Sequence, residues 1–292
     1  MNILVLGGTR YFGIPMVEEL LRQGHEVTLA TRQITQDKFG DAVKRIQVER
    51  TNQASMKEAF QGKYFDVVYD KIAYCSNDIK YAMDAVECGK YIFMSSTSVY
   101  LSKQKEVKEE DFDGVNGELV WCSRFDFPYA QIKRQAEYAL WQEYKDKKWL
   151  AVRYPFVIGQ DDYTERLLFY VQHTMKGLPM HIDNLDAQMG FMGSEEAGKF
   201  LAFLADKEIT GAINGSSNGT ISLREIIGYV EEKTGTKAII SADGEEAPYN
   251  GEPEYSICTE KAKALGFDFS DLKEGIFDLL DYYIALVKAT QQ

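Results

Sequence analysis

Two hydrophobic patterns alternate through the first half of the chain: short apolar runs, and apolar residues at helical spacing. Ile3-Leu4-Val5-Leu6 is a buried-strand run stopped by Gly7-Gly8. Ile14, Val17, Leu20 and Leu21 then recur at three- to four-residue intervals until Gly24, which predicts a helix. Strands are predicted at 27–29, 45–48, 65–69, 91–94 and 149–153. Helices are predicted at 78–88, ended by Gly89, and at 129–144. Strands alternating with helices imply βαβ units, and right-handed crossovers make the expected fold a Rossmann-type, doubly wound α/β sheet.

Residues 101–127 interrupt this alternation. The stretch is polar and carries an acidic run at 106–113, so it reads as a long surface loop with a solvated acidic face. Beyond Pro155 the periodicity weakens. Residues 160–192 show few clean periods and are expected to cover a ligand. Further on, 194–204 reads as a helix capped by Ser194, and 211–214 as a strand. Ser222 and Glu225 form a capping box for a helix at 223–233. Leu272, Ile276, Leu280, Ile284 and Val287 mark a last helix.

Composition narrows the picture by exclusion. With 292 residues, 45% of them hydrophobic and 27% charged, the chain has the makeup of a globular protein and not of a disordered or collagen-like one. A net charge of −12 repels phosphate backbones, so no nucleic-acid partner is expected. Cys75, Cys88, Cys122 and Cys258 form no C-x-x-C pair and read as free thiols in a reducing compartment. His25, His173 and His181 lack metal-ligand spacing, so no metal is expected. No apolar run reaches 18 residues, and the apolar start is a strand instead of a signal peptide. No membrane association and a cytoplasmic location are therefore expected.

The candidate chemistry begins at Gly7-Gly8-Thr9-Arg10-Tyr11-Phe12-Gly13, between the first strand and the first helix. Gly7 permits a tight turn, Gly13 allows close helix packing, and a helix N-terminus offers N–H groups to a pyrophosphate. A fold of this kind that prefers NAD carries an acid about 20 residues beyond the loop, on the ribose 2′-hydroxyl. Here that place reads Ala30-Thr31-Arg32, and Arg10 stands where the loop would hold another glycine. Two cations and no acid favour NADP over NAD.

Tyr129 and Lys133 stand at i and i+4 on one predicted helix and share a face. A phenol is a poor base at neutral pH, and a nearby ammonium makes its ionisation easier. Such a tyrosine can give or take a proton while hydride moves at the neighbouring carbon. Ser95-Ser96-Thr97-Ser98 follows the fifth strand, at the strand end where ligands bind in this fold.

With these motifs, and with Arg153-Tyr154-Pro155-Phe156-Val157-Ile158-Gly159 and Asn214-Gly215 further on, the chain resembles the extended short-chain dehydrogenase/reductase family. This is the NAD(P)-dependent epimerase/dehydratase group, and the Gly-Gly-Thr-Arg-Tyr-Phe-Gly loop looks like an atypical subgroup that includes chloroplast stem-loop-binding proteins. The resemblance implies Ser96, Tyr129 and Lys133 as catalytic residues. It implies cofactor contacts from Gly7, Gly8, Thr9, Arg10, Tyr11, Phe12, Gly13, Thr31, Arg32, Ala73, Tyr129, Lys133, Tyr154 and Pro155.

The implied activity is reduction or epimerisation at a hydroxyl or ketone carbon of a small molecule, such as a sugar or nucleotide-sugar. The implied division is a cofactor domain at 1–158, to which segments near 185–215 return, and a smaller C-terminal substrate-binding α/β part at 159–292. Thr97 and Ser98 replace the Asp-Glu of sugar 4,6-dehydratases, which argues against that reaction. Ser96 and Tyr129 are 33 residues apart, longer than the family pattern. Arg166, His173, Lys176 and His181 are candidates for an anionic substrate group, each competing with a plain surface role.

The implied assembly is a monomer or a homodimer, the latter through helices 78–88 and 129–144. The alternative is a non-catalytic NADP-sensing or RNA-binding protein on the same fold. A thiol hydrolase is disfavoured because no cysteine has a visible histidine partner.

Overall fold

The computed structural model describes residues 1–34 and 36–290, so the last two residues of the expected 159–292 part lie outside it. The elements run in this order: β1 (Asn2–Leu6), α1 (Gly13–Arg22), β2 (Glu26–Thr31), β3 (Lys44–Gln47), α2 (Gln53–Phe60), β4 (Tyr64–Asp70), α3 (Ser76–Ala85), β5 (Glu87–Met94), α4 (Tyr129–Gln142) and β6 (Trp149–Arg153). The chain continues through β7 (Phe156–Ile158), α5 (Arg166–Lys176), β8 (Pro179–His181), β9 (Phe191–Gly193), α6 (Ser194–Phe203), β10 (Gly211–Asn214) and α7 (Leu223–Thr234). It ends with β11 (Ile239–Ile240), β12 (Glu245–Glu246), α8 (Glu260–Ala264) and α9 (Leu272–Thr290).

Seven strands form one parallel sheet in the order β10-β6-β5-β4-β1-β2-β3. Small sheets β11-β8-β12 and β7-β9 belong to the C-terminal part. Strand side chains alternate between faces, and both faces of the main sheet are covered by helices. Ile3 and Val5 of β1 pack toward α1 and α6, whereas Leu4 and Leu6 pack toward α2, α3 and α4. This is why the run at 3–6 is apolar at every position. Strand order reverses between β1 and β4, and such a reversal opens a crevice at the strands' C-terminal ends.

Several sequence expectations need correction. The helix at 78–88 begins at Ser76 and stops at Ala85, and Cys88 and Gly89 lie inside β5. Gly89 is there for space: a Cβ would sit 2.8 Å from the Asp66 carbonyl oxygen of the neighbouring strand. Ser194 is the first residue of α6 and not its cap; its hydroxyl bonds Asp161 at 3.2 Å. The capping box at Ser222 and Glu225 is present, with both reciprocal bonds.

Residues 101–127 are a strap and not a free loop. Val107, Phe112 and Cys122 are buried, and so is Glu109 of the acidic run, which accepts the Asn214 N–H at 2.8 Å. The strap lies across α3 and α4. Gln142 donates to the carbonyls of Gly114 and Gly117, Gln135 donates to Glu118 O, and Val120 N donates to Gln135 at 2.6 Å. Ser76 donates to Val120 O at 2.7 Å and accepts from Cys122 N at 2.8 Å. The strap thus occupies the helix face through which a dimer was expected, and it accounts for the long spacing between Ser96 and Tyr129.

Behind the strand ends lies a buried polar network. Arg153 forms a two-pronged ion pair with Glu137, at 2.9 and 2.5 Å, and both side chains are fully buried. Ser95 donates to Glu137 at 2.5 Å. Arg153 also donates to Tyr100 Oη and Glu109 O, and Tyr100 donates to Asn214 at 2.6 Å. Each charge has partners that offset its desolvation. The network joins α4, β6, β10 and the strap, and so fixes the strand end that carries Ser96.

Candidate active site

Gly7 ends β1 with φ +95°, a conformation that side-chain-bearing residues avoid, and a Cβ there would meet Ile72 Cγ2 at 2.9 Å. At Gly13 a Cβ would lie 2.8 Å from Gly8 Cα. The loop therefore folds tightly over the N-terminus of α1, where no side chain caps the helix. The positive end of the α1 dipole beside a bare glycine cradle suits a pyrophosphate, so these residues fit a dinucleotide.

Next to this loop is a cavity of about 630 Å³. It brings together Arg10, Tyr11, Phe12, Ser96, Tyr129, Lys133, Tyr154 and Pro155, all expected from sequence, and adds Arg166. Gly7, Gly8, Thr9, Gly13, Thr31, Arg32 and Ala73 lie outside its lining. The glycines and Thr9 form the turn, Ala73 follows β4, and Thr31 and exposed Arg32 are at the end of β2. Of the other cations expected near a substrate, His173 is buried, stacked on Phe169 and bonded to Glu245 at 3.1 Å. His181 bonds Asp183, and Lys176 is at the far end of α5.

Lys133 is 3% exposed and donates to the carbonyls of Ala73 and Met94, both at 2.8 Å. Ala73 thus enters the site through its backbone. Burial brings the Lys133 ammonium down to about 7, against the opposing pull of Asp70, Asp78 and Glu137. Tyr129 begins α4 right after Pro128, whose fixed φ suits a helix start. Half of Tyr129 is open to solvent at the cavity mouth. Its phenol end, ringed by Tyr74, Tyr163 and Ser96, is pushed up to about 12 by burial, and a hydrogen bond with Ser96 opposes that rise. Ser96 is fixed in turn by accepting the Ser98 N–H at 3.1 Å.

These shifts have a measurable consequence. The unfolded chain keeps the Lys133 proton up to the ordinary lysine range, while the folded chain releases it near 7. At this group the unfolded state therefore binds more protons above that point, and the Lys133 contribution to stability rises with pH from about 7 to about 10. Lys133→Met is expected to flatten this rise, read as the urea midpoint at about pH 7 and about pH 9. An undiminished rise would contradict the assignment. Lys71, brought down to about 8 by burial, leaves a remainder in the variant.

Sequence reasoning names Arg166 and Tyr11 but misses Lys71 and Lys103, which also line the cavity. Lys71 stands with its Nζ 3.9 Å from the Phe12 ring centroid. Lys103 comes from the strap, pairs with Glu252 and lies over Tyr255. Arg166 stacks over Phe156 and donates to Thr164 at 2.9 Å. Tyr11, also with positive φ, keeps a buried hydroxyl without a hydrogen-bond partner among the described residues. Lys71 and Lys103 carry no local sequence signal; strand pairing and the strap bring them in.

Residues 3–84 match the profile of the family described as NAD dependent epimerase/dehydratase. A curated relative, the chloroplast stem-loop binding protein of 41 kDa b from Arabidopsis thaliana, is 24% identical, over 71% of this chain and 56% of its own. The chain thus spans little more than half of that relative. UDP-glucose 4-epimerase from Thermotoga maritima, solved with UDP-glucose, superposes with TM-score 0.75 at 18% identity, covering 98% of this chain and 100% of that one. The Thermus thermophilus UDP-glucose 4-epimerase, solved with NAD, gives 0.69 at 21%, covering 97% and 99%. The dTDP-glucose 4,6-dehydratase from Bacillus anthracis gives 0.74 at 16%, covering 97% and 96%. At these identities the structural likeness shows the fold. The sequence match to the NAD dependent epimerase/dehydratase family covers residues 3–84, which include the glycine loop, α1 and strands β2 to β4.

Proposed function

We propose that the chain is an NADP-dependent reductase or epimerase acting on a hydroxyl or ketone carbon, with a sugar or nucleotide-sugar as the substrate class. The observation that carries this reading is the meeting of Ser96, Tyr129 and Lys133 in one cavity beside the glycine loop. In it, residues 1–158 with β10 hold the cofactor, and the remaining C-terminal part closes over the substrate. Gly7 to Gly13 and the start of α1 hold the pyrophosphate, Arg32 with Arg10 takes the 2′-phosphate, and Ala73, Tyr154 and Pro155 flank the nicotinamide end. When bound, the nicotinamide supplies or accepts hydride at the substrate carbon.

The chain's own residues handle the proton and the oxygen. Ser96 Oγ donates to the substrate oxygen and orients it. Tyr129 Oη gives its proton to that oxygen as a carbonyl is reduced, and takes one from a hydroxyl in the reverse direction. Lys133 lowers the cost of the phenolate and holds the ribose hydroxyls. With the phenol high and the ammonium low, the resting site carries its proton on Tyr129, ready for reduction. The test is a screen of sugar and nucleotide-sugar alcohols and ketones against the protein, read by nicotinamide fluorescence. Substrate-dependent hydride transfer, or interconversion of epimers with cofactor retained, supports the reading; neither in any substrate set contradicts it.

Arg32→Ala is expected to weaken NADPH binding about tenfold or more and to leave NADH nearly unchanged, since one charge-assisted contact is worth about 1.5–3 kcal/mol. Equal affinities in variant and wild type would return the preference to NAD. With α3 and α4 under the strap, no dimer through that face belongs to this reading. A cytoplasmic location does, along with free thiols at all four cysteines. No described helix is long and apolar enough to cross a membrane.

A second reading rests on the stem-loop binding named for the Arabidopsis relative: RNA binding without catalysis. The net charge of −12 opposes it. Salt-dependent binding of an RNA hairpin that Tyr129→Phe leaves unchanged, with no hydride transfer, would favour it.

A further inference from the structure

The strap ends at the cofactor crevice. Arg124 donates through Nη2 to Ile72 O at 2.8 Å and through Nε to Asp78 at 3.0 Å. Ile72 is the side chain that touches Gly7 of the glycine loop. Arg124 is therefore pinned at the rim formed by the ends of β1 and β4, and its Nη1 makes no hydrogen bond to the described residues. Glu49, just past β3, marks the other side of this rim. Its carboxyl is held low first by hydrogen bonds from Thr51, and the fields of Arg32 and Arg124 add to that.

Pyrophosphate at Gly7–Gly13 and a nicotinamide end at Tyr129 leave the adenosine end for the space between the ends of β2 and β3 and the segment after β4, which this rim borders. Two further features stand there. Arg50 is 3% exposed, and its Nε and Nη1 find no hydrogen-bond partner among the described residues. Phe125, next to the pinned Arg124, is 97% exposed, an unusual place for a full aromatic ring.

We propose that residues 124–125 of the strap are a clasp on the adenosine half of the dinucleotide, in which Arg124 faces Arg32 across the 2′-phosphate and Phe125 stacks on the adenine. This rests on the cofactor reading above and extends it to a segment outside the glycine loop. A cation from the strap supplies charge where Glu49 offsets part of that of Arg32. A flat base matches an exposed ring whatever its hydrogen-bonding edge. Arg124 also holds the strap to Ile72 and Asp78. A merely structural role would affect both nucleotides alike, whereas the clasp makes Arg124 selective.

The experiment is a titration of NADPH and NADH into wild type, Arg124→Gln, Phe125→Ala and Arg32→Ala, followed by nicotinamide fluorescence, with a thermal melt of each. Arg124→Gln is expected to weaken NADPH about tenfold while NADH changes less than about threefold. Phe125→Ala is expected to weaken both about fivefold or more with an unchanged melt. Wild-type affinities in both variants overturn the clasp, as does equal weakening of NADPH and NADH by Arg124→Gln. If Arg32→Ala alone shifts NADPH, the clasp falls and the cofactor reading stands. If wild type binds neither nucleotide, the cofactor reading falls and takes the clasp with it.

Discussion

Tyr129→Phe is expected to lower turnover by about 10²–10⁴-fold, the range that a positioned proton donor contributes, while NADPH binding stays within about twofold of wild type. The variant deletes one oxygen whose hydrogen-bond partner is Ser96 and leaves a half-exposed ring in place. Its fold has little reason to change. Lys133 keeps both of its carbonyl partners, so the cofactor side of the cavity is preserved. Steady-state rates beside a nucleotide titration separate the two effects. Retained turnover would remove the phenol from the chemistry and leave Ser96 or an ordered water as the proton source. Loss of turnover together with loss of nucleotide affinity would make Tyr129 a binding group.

The second large effect is on stability. Glu137→Ala is expected to cost about 3–5 kcal/mol, because it strands the Arg153 guanidinium in an interior with no exposure. Arg153 would keep Tyr100 Oη and Glu109 O, neither of which carries a compensating charge. Ser95 would lose its acceptor at the strand end next to Ser96. Urea denaturation reads the cost directly, and a loss below about 1 kcal/mol would show that water or a neighbouring carboxylate replaces Glu137. Because the network reaches Asn214 and the strap, the variant is also expected to loosen residues 107–112 in hydrogen exchange before the rest of the sheet.

Local patterns made the sheet and the glycine turn readable in the sequence. The apolar run at 3–6, the glycines at 7, 8 and 13, and the Tyr129/Lys133 spacing each carry their meaning within a few residues. Other features have no such local mark. Between Gln53 and Phe60, Met56 and Phe60 are the buried positions, too thin a stripe to stand out, and the helix is held by its Asn52 cap. In α5, Leu167, Leu168, Tyr170, Val171, His173 and Thr174 are all buried, so the helix sits among neighbours on several sides and its amphipathic period is blurred. Gly89 looks like a helix stop and instead relieves crowding between β4 and β5.

The site itself divides in the same way. Ser96, Tyr129 and Lys133 were legible because order along the chain matches position along the sheet. Lys103 and Lys71 were not, since what brings them in is strand pairing and a strap held by side chains on α3 and α4. The acidic run 106–113 shows how composition misleads at a single residue: Glu109 serves as an internal acceptor for Asn214, while its neighbours Glu110 and Asp111 face solvent.

The central claim is that this chain binds a nicotinamide dinucleotide at the Gly7–Gly13 turn with its reactive end toward Tyr129. The most direct measurement is a titration of the wild-type protein with NADPH and NADH, read by nicotinamide fluorescence. The account predicts saturable binding of both, tighter for NADPH, with the fluorescence change expected when the ring enters the cavity beside Tyr129 and Lys133. Failure of both nucleotides to bind would contradict it.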